Sequence, residues 1–214
     1  NYQPNLMARR LVTGRSGIVG FVQQRMPTPA EAMFFTRFVA GLSASFSKHD
    51  RQFMLHMTDP GADVTAPYDK LVRSRSIDGF VVTQPVVDDP RVHYLRARKI
   101  PFVLHGKGPD APDYPYFDID NAAVGRDLAA HLVAHGHHAI AFINGPEDTM
   151  FTRWRSAGYR QALDGAGLCL PPGFEVFGEM TQEAGLLETI RLFQSEGPHP
   201  TAMVAANTRI AVGI

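Results

Sequence analysis

The amino-acid sequence predicts an α/β protein with two doubly wound parallel sheets, each forming one subdomain. Short, continuously apolar segments alternate along the chain with segments in which apolar residues recur at helical spacing. Continuously apolar strands are typical of a parallel sheet that helices cover on both faces. A loop with three prolines, residues 108–116, interrupts the alternation, which restarts after it. We therefore expect a subdomain boundary at this loop.

Length and composition fit a globular protein of one or two domains. The chain has 214 residues, of which 44% are hydrophobic, and its 21 basic residues balance 21 acidic ones. Cys169 is the only cysteine, which excludes an internal disulfide and a cysteine-ligated zinc site and favours a reducing, cytoplasmic location. No apolar run reaches the roughly 18 residues of a transmembrane helix, so no membrane partner is expected.

Four strands and three helices are predicted before the proline-rich loop. In the first long helix, apolar side chains recur every four residues and should face the sheet: Phe34, Phe38, Leu42 and Phe46. The third helix is expected to be capped by Asp88. The expected strands are residues 18–22, 52–57, 80–82 and 101–104.

The alternation continues to the end of the chain. A helix after Asp120 is expected to bury a stripe of Val124, Leu128 and Leu132 and to stop at Gly136. Further strands are expected at residues 139–143, 175–177 and 202–205, with helices at 152–166 and 181–195. The predicted subdomains are residues 17–115 and 116–214 with a cleft between them. Ligands of such sheets bind beyond the carboxyl ends of the strands.

The N-terminal segment, residues 1–16, concentrates positive charge, because it contains three arginines and no acidic residue. Asn5 can cap a helix of fewer than about 12 residues, which is marginally stable in water without a partner. Arginines suit a phosphate backbone, and an apolar residue such as Leu11 can wedge into a minor groove. The alternative is a solvated linker with ordinary arginines.

Three stretches of this segment form a pattern: Tyr2–Asn5, Ala8–Leu11 and Thr13–Ser16. Together they closely resemble the hinge of the lactose-repressor and galactose-repressor family of bacterial transcription regulators. The resemblance implies that residues 1–16 are a hinge between an effector-binding core and a helix-turn-helix headpiece, which would lie just before Asn1 and is missing here. In such a hinge, operator DNA would be contacted by Asn5, Ala8, Arg9 and Leu11, with Leu11 in the minor groove.

The same resemblance extends over essentially the whole chain. Segments similar to the family's core signature occur in order and at the family's spacing: Asp120–Gly125, His135–Pro146, Arg155–Tyr159 and Pro200–Asn207. The resemblance implies a periplasmic-binding-protein-like (type I) fold with an effector site between its two subdomains. A family core would need roughly another 60 residues after Ile214, so the C-terminal subdomain is expected to be incomplete.

Aromatic residues after the first strand are candidates for the effector site. Phe34 and Phe35 are adjacent, so one should pack inward and the other, for which we favour Phe34, should lie against a sugar ring or a base. Core packing is the alternative. His105 ends the fourth strand, where the family often has aspartate. It is either a ligand donor or pH sensor, or a hydrogen-bonded histidine without a function.

Four further residues are candidates for effector binding. Arg155 occupies the position of the family's ligand-clamping arginine and suits vicinal hydroxyls or a carboxylate, with a surface salt bridge as the alternative. Asp120 caps its helix, accepts hydrogen bonds from effector hydroxyls, or does both. Asn207 matches a family asparagine that bonds the effector, although Thr208 replaces the aspartate that usually follows. Met180 replaces an aromatic residue and would suit a bulkier guest.

Neither a metal site, a cofactor nor a catalytic site is expected. His135, His137 and His138 flank a helix stop rather than lie on one helical face, and no carboxylate lies at ligand spacing. The sequence shows no set of nucleophile, base and orienting residue, so no enzymatic activity is expected.

These observations favour a ligand-responsive, DNA-binding transcriptional regulator, a repressor of carbohydrate uptake or catabolism genes. Its core would bind a small effector, a sugar by the family's habit. A homodimer joined through the N-terminal subdomain would present two hinges to operator DNA. The first alternative, a periplasmic sugar-binding protein of a transporter, is opposed by the arginine-bearing hinge and the lack of a signal peptide. The second, a small α/β enzyme, is opposed by the missing catalytic set.

Overall fold

The computed structural model describes residues 15–24, 32–109 and 113–214, with residues 32–34 described as helical backbone only. The chain divides into two compact units. The N-terminal unit consists of Asn1–Thr83, Asp88–His105 and Asp113–Tyr116. The C-terminal unit consists of Gln84–Val87, Gly106–Pro112 and Phe117–Ile214. The chain therefore passes from one unit to the other several times. The predicted hinge contacts Asn5, Ala8, Arg9 and Leu11 lie outside the described residues.

The N-terminal unit is built on a five-stranded sheet in the order β2-β1-β3-β4-β5. Its strands are β1 Ile18–Gln24, β2 Gln52–Thr58, β3 Gly79–Thr83, β4 Phe102–His105 and β5 Tyr116–Phe117. The first four strands pair in parallel, as their continuously apolar sequences predict. All five residues of β3 are buried, which identifies it as the central strand of the core.

Three helices accompany this sheet: α1 Ala32–Lys48, α2 Ala66–Arg73 and α3 Pro90–Ala97. The predicted apolar stripe of α1 faces the sheet where its side chains are described, because Phe38 lies edge-on against Phe21 and Phe46 stacks on Phe53. The buried core beneath the helices consists of Val22, Tyr68, Leu71, Phe80, Val82, Val92, Leu95 and Leu104.

The predicted cap of α3 is wrong by one residue. Asp89, not Asp88, accepts a hydrogen bond from Arg91 N at 2.9 Å, and Asp88 lies in the preceding turn with a φ of 50°. The reason is Pro90, which occupies the first helical position, where its missing N–H costs nothing. The capping side chain must then come from the residue immediately before the proline.

The C-terminal unit is built on a three-stranded sheet in the order β7-β6-β8, with all pairs parallel. Its strands are β6 Ile140–Asn144, β7 Glu175–Phe177 and β8 Ala202–Ala205. Its helices are α4 Asn121–Ala134, α5 Met150–Gly165, α6 Gln182–Gln194 and α7 Thr208–Gly213. The last helix was not predicted, because its six residues are too few to show a helical period.

The predicted buried stripe of α4 is confirmed at Leu132, which packs against the buried core, and is wrong at Leu128. Leu128 is 44% exposed, and the fully buried residues of this helix are Asn121, Gly125 and Ala129. A Cβ added to Gly125 would overlap the carbonyl oxygen of Arg155 on α5. The two helix backbones therefore touch, and small residues face the contact where a stripe of large apolar residues was expected.

The same kind of contact occurs at three further glycines of this unit, including Gly213 of α7, where a Cβ would overlap the Gln182 carbonyl of α6. A Cβ on Gly158 of α5 would overlap the Ala122 carbonyl of α4, and one on Gly185 of α6 would overlap the Ile210 carbonyl of α7. Glycine is required at these positions by the close approach of two helices, not by backbone conformation. Within the described part of the chain, no helix is long and apolar enough to cross a membrane.

Candidate functional site

The candidate site in the C-terminal unit is centred on the side chain of Arg155, which projects from α5. Its Nε donates a hydrogen bond to Asn121 Oδ1 at 2.8 Å, and its Nη1 donates to the Ala206 carbonyl at 2.7 Å. Its guanidinium carbon lies 5.2 Å from the centre of the Phe151 ring. The alternative role predicted for Arg155, a surface salt bridge, is not the arrangement found among the described residues, where its partners are an amide and a main-chain carbonyl.

Local folding explains why these groups meet. Asn121 is the first residue of α4 and Ala206 follows the end of β8, so both lie where a secondary-structure element begins or ends. The glycine contact between α4 and α5 fixes the distance from the start of α4 to Arg155. The arginine therefore spans two ends of elements that are far apart in sequence.

Burial and charge act in opposite directions on Arg155. Burial lowers the pKa of its guanidinium, and the nearby carboxylate of Asp118 raises it. The group stays charged at neutral pH, since an arginine pKa lies far above it. Among the described residues, Arg155 Nη2 has no hydrogen-bond partner. The site therefore offers a charged donor, held in place, that suits an oxygen-rich ligand.

A carboxylate and an amide that are not among the predicted site residues complete this network. Both oxygens of Asp118 accept hydrogen bonds from Asn121 Nδ2 at 3.0 Å, and Asp118 Oδ2 also accepts one from Lys107 N at 2.7 Å. Asn121 is only 4% exposed. Neither residue has a recognisable sequence signal, because an asparagine beside Asp120 suggests helix capping first.

The other predicted residues of this unit lie around the network, each with a structural partner. Asp120 is exposed and caps α4 by accepting from Ala123 N at 2.9 Å. Asn207 caps α7, since its Oδ1 accepts from Ile210 N at 2.8 Å, and its Nδ2 donates to the Met180 carbonyl at 3.1 Å. The Met180 side chain packs against the buried core. Hydrogen bonds thus connect Asn207 to Met180, while Arg155 bonds the residue just before Asn207.

The predicted residues of the N-terminal unit are held by aromatic contacts. Phe35 packs against the buried ring of Phe21 with centroids 6.1 Å apart. His105, the last residue of β4, stacks on Phe38 with centroids 4.9 Å apart and ring planes at 24°. The side chain of Phe34 lies outside the described part of the structure.

The histidines after α4 take part in local hydrogen bonds. His135 Nδ1 lies 2.8 Å from the His131 carbonyl, and His137 Nδ1 lies 3.1 Å from Thr201 Oγ1. Over residues 15–24, 32–109 and 113–214, no group of three or more histidine, cysteine, aspartate or glutamate side chains is placed to hold a metal ion.

Comparison with known proteins adds three findings. Residues 17–214 match the family model of periplasmic binding proteins and the sugar-binding domain of the LacI family. The HTH-type transcriptional regulator AglR of Rhizobium meliloti is 35% identical over 213 residues, a match that covers 99% of this chain. The chain spans 59% of the length of AglR.

Solved structures agree on the architecture. A regulatory protein of the LacI family from Chloroflexus aggregans superimposes with a TM-score of 0.81 at 28% identity, covering 92% of this chain and 71% of that one. The complex of the transcriptional regulator CelR with cellobiose gives a TM-score of 0.78 at 25% identity, covering 95% of this chain and 64% of that one. The predicted type I fold is confirmed.

Proposed function

The chain belongs to the family of periplasmic binding proteins and LacI-family sugar-binding domains, as its resemblance to that family predicted, and from this membership we propose that it is the effector-binding core of a DNA-binding transcriptional regulator. The match to AglR covers 99% of the chain and so extends into the arginine-bearing segment, residues 1–16. Such a segment suits operator DNA, whereas a transporter's solute-binding protein has no use for it. The relatives are regulators, and we propose no catalytic activity.

The proposed effector is a carbohydrate. The observation that carries this proposal is the arrangement of Arg155, a charged and half-buried donor fixed by Asn121 and the Ala206 carbonyl. A guanidinium held in this way suits neighbouring hydroxyl oxygens of a sugar. One protein of similar structure binds cellobiose. Arg155 is proposed as the principal effector contact, with further contacts from Phe34, Phe35, His105, Asp120, Met180 and Asn207.

The proposed control is a shift between two conformations of the protein. A sugar that binds one conformation more tightly increases its population by the difference in binding free energy, and no more than that difference. In a homodimer, this shift would separate the hinge segments and release operator DNA. The regulator is proposed to repress carbohydrate uptake or catabolism genes from the cytoplasm.

The proposed dimer forms through the N-terminal unit. Strand β2 is at the edge of the five-stranded sheet, and its side chains Leu55 and Met57 are 36% and 41% exposed. An edge strand with exposed apolar side chains is a favourable surface for association with a second copy. Sedimentation of the full-length protein with Met57→Lys should show dissociation at micromolar concentration, while His49→Lys on the adjoining exposed turn should leave the dimer intact.

The proposed function is tested with the full-length protein and a panel of mono- and disaccharides that includes cellobiose. Thermal shift first identifies a sugar that stabilises the protein. Fluorescence anisotropy with the promoter DNA upstream of its gene then measures whether that sugar changes DNA affinity. We expect salt-sensitive DNA binding that the sugar weakens. Sugar binding without any salt-sensitive DNA binding would instead favour a solute-binding protein.

A further inference from the structure

A line of hydrogen bonds runs from Asp118 through Asn121 to Arg155. Asn121 Nδ2 contacts both carboxylate oxygens of Asp118 at 3.0 Å, and Asn121 Oδ1 accepts from Arg155 Nε at 2.8 Å. The carboxylate is itself fixed, because it accepts from the main-chain nitrogens of Lys107 at 2.7 Å and Ile119 at 2.8 Å. Asp118 therefore influences Arg155 through an interposed amide.

The chemistry of the three groups permits only one orientation of this amide. A carboxylate only accepts hydrogen bonds, so it requires the NH₂ group of Asn121 to face it. A guanidinium only donates, so it requires the amide oxygen. Each end of the Asn121 side chain thus enforces the orientation that the other end needs. A reversed amide would place donor against donor at Arg155 and acceptor against acceptor at Asp118, at a side chain that is only 4% exposed.

The loop that carries Lys107 is itself held against α5. Trp154 Nε1 donates to the Gly108 carbonyl at 3.3 Å, and Lys107 Nζ lies 4.4 Å from the centre of the Trp154 ring. The loop of Lys107 and Gly108 thus contacts Asp118 on one side and Trp154 on the other. Because Trp154 immediately precedes Arg155, this loop and the Arg155 guanidinium are both held by α5. The network therefore closes on itself within one unit.

We propose that Asp118 and Asn121 are positioning residues that hold Arg155 Nε, so that Nη2 stays directed at the effector while Nη1 donates to the Ala206 carbonyl. This inference rests on the proposed function only for the identity of Arg155 as an effector contact. A direct ion pair would let the guanidinium turn towards Asp118 and satisfy its charge there. The interposed neutral amide fixes the direction of the guanidinium and keeps the carboxylate from competing with the effector.

The first test needs no sugar. The chain is prepared with ¹⁵Nε-labelled arginine, and exchange of each arginine Nε–H with water is measured by NMR, with the Arg155 signal assigned by its loss in Arg155→Lys. We expect Asp118→Asn, which does not alter any group touching Arg155, to speed this exchange about tenfold, the factor that corresponds to about 1.4 kcal/mol. Arg153 is the internal control, since its Nε donates to the Glu147 carbonyl at 3.3 Å on the exposed side of the same helix.

The outcomes of this test separate positioning from a general loss of structure. Unchanged Arg155 exchange in both Asp118→Asn and Asn121→Ala would overturn the proposal. Equal acceleration at Arg153 and Arg155 would also overturn it, because it would show loosening of α5 as a whole. Faster exchange at Arg155 alone, in either variant, supports the positioning role. Two variants are used so that the proposal can still be tested if one of them fails to fold.

The second test uses cellobiose and the full-length protein in a double-mutant cycle measured by calorimetry. We expect Asn121→Ala to weaken binding about tenfold, or about 1.4 kcal/mol. Asp118→Asn should weaken binding in the wild-type background and have no further effect in Asn121→Ala. Additive effects would overturn the relay through the amide. If the wild type binds no saccharide while Arg155 exchange still responds to Asp118→Asn, the proposed function fails and the positioning role stands.

Discussion

The two units hold their candidate residues by different physical means. In the N-terminal unit, His105 stacks on the ring of Phe38, and Phe35 packs at a tilt against the ring of Phe21. In the C-terminal unit, Arg155 is fixed by directional hydrogen bonds to Asn121 and a main-chain carbonyl. Ring contacts tolerate shifts in distance and angle, whereas a buried network fails when one partner is removed. The C-terminal unit should therefore be the more sensitive to substitution.

Helix packing shows the same contrast. Helix α1 contacts its sheet through large rings, such as Phe46 on Phe53 with centroids 6.0 Å apart. Helices α4 and α5 meet backbone to backbone at Gly125 and Gly158. In the N-terminal unit, side chains that can adjust lie between α1 and the sheet. In the C-terminal unit, no layer of side chains lies between α4 and α5 where they cross. Substitutions in each unit therefore test this difference in packing.

The largest expected effect is at the helix crossing. Gly158→Val would place side-chain atoms on the Ala122 carbonyl, and backbone cannot give way as a flexible side chain can. We expect a loss of about 3 kcal/mol of unfolding free energy. The measurement is urea unfolding followed by circular dichroism. Gly165→Ala, at the end of the same helix with open space around it, is the matched control and should not destabilise the protein. A tolerated Gly158→Val would contradict the rigid crossing.

The next effect concerns ligand binding. Arg155→Ala should lower the affinity for the identified sugar at least about tenfold, or about 1.4 kcal/mol, because its donors are lost. Titration calorimetry measures the change, and Arg153→Ala, on the exposed face of the same helix, serves as the control. Equal affinities of the two variants would assign Arg155 to structure alone.

A carboxylate of the N-terminal unit provides an exception that tests the comparison. Asp78 accepts hydrogen bonds from Ser16 N at 2.6 Å, Ser16 Oγ at 2.8 Å and Gly17 N at 2.9 Å, and it pairs with Arg51 at 3.4 Å. Burial raises the pKa of Asp78, but these hydrogen bonds outweigh it, and the pKa lies below its ordinary value. The folded state therefore prefers the ionised carboxylate.

The sign of the pH dependence follows. Because the folded-state pKa of Asp78 is lower than the unfolded one, its stabilisation is complete above the unfolded pKa and is lost as pH falls through the folded pKa. Asp78→Asn should cost about 1 kcal/mol at neutral pH. Urea unfolding of both proteins across the acid range should show this difference shrinking as pH falls. A difference in unfolding free energy that does not change with pH would mean that the charge of Asp78 does not stabilise the folded protein.

The smallest effect separates stacking from hydrogen bonding at His105. His105→Phe retains a ring against Phe38, so the unfolding free energy should stay within about 0.5 kcal/mol. If the imidazole nitrogens contact the sugar, its affinity should fall in the same variant. Calorimetry and urea unfolding of one preparation measure both quantities. Unchanged affinity would leave His105 with a packing role only.

The sequence predicted the strands well because a parallel strand buried on both faces is a short, continuously apolar segment. Residues 175–177 and 202–205 form strands with the expected bounds. The buried face of α4 was predicted only in part. A helical period is recognised by its large apolar residues, whereas this helix makes its closest contact through Gly125 and Ala129. A glycine within a helical segment is ordinarily taken as a sign of low helix propensity, and not as the point where two helices cross.

The candidate site was predictable only in part. Resemblance to a family identified Arg155, but not the groups that hold it. Its partners Asn121 and Ala206 are 34 and 51 residues away in sequence, and one of them contributes only a carbonyl that every residue possesses. Such partnerships depend on tertiary distances, which no local pattern of residue types encodes.

The tightest crossing in the C-terminal unit includes the main chain of the very residue that carries the candidate donor. Gly125 lies against the carbonyl of Arg155, so this residue contacts α4 through its backbone and the start of α4 through its side chain. If the effector binds the guanidinium as proposed, a displacement of Arg155 would be passed to α4 and α5 together, since no layer of side chains separates them at this crossing. Arg155 is therefore expected to couple the two helices rigidly, so that α4 and α5 would move as one layer.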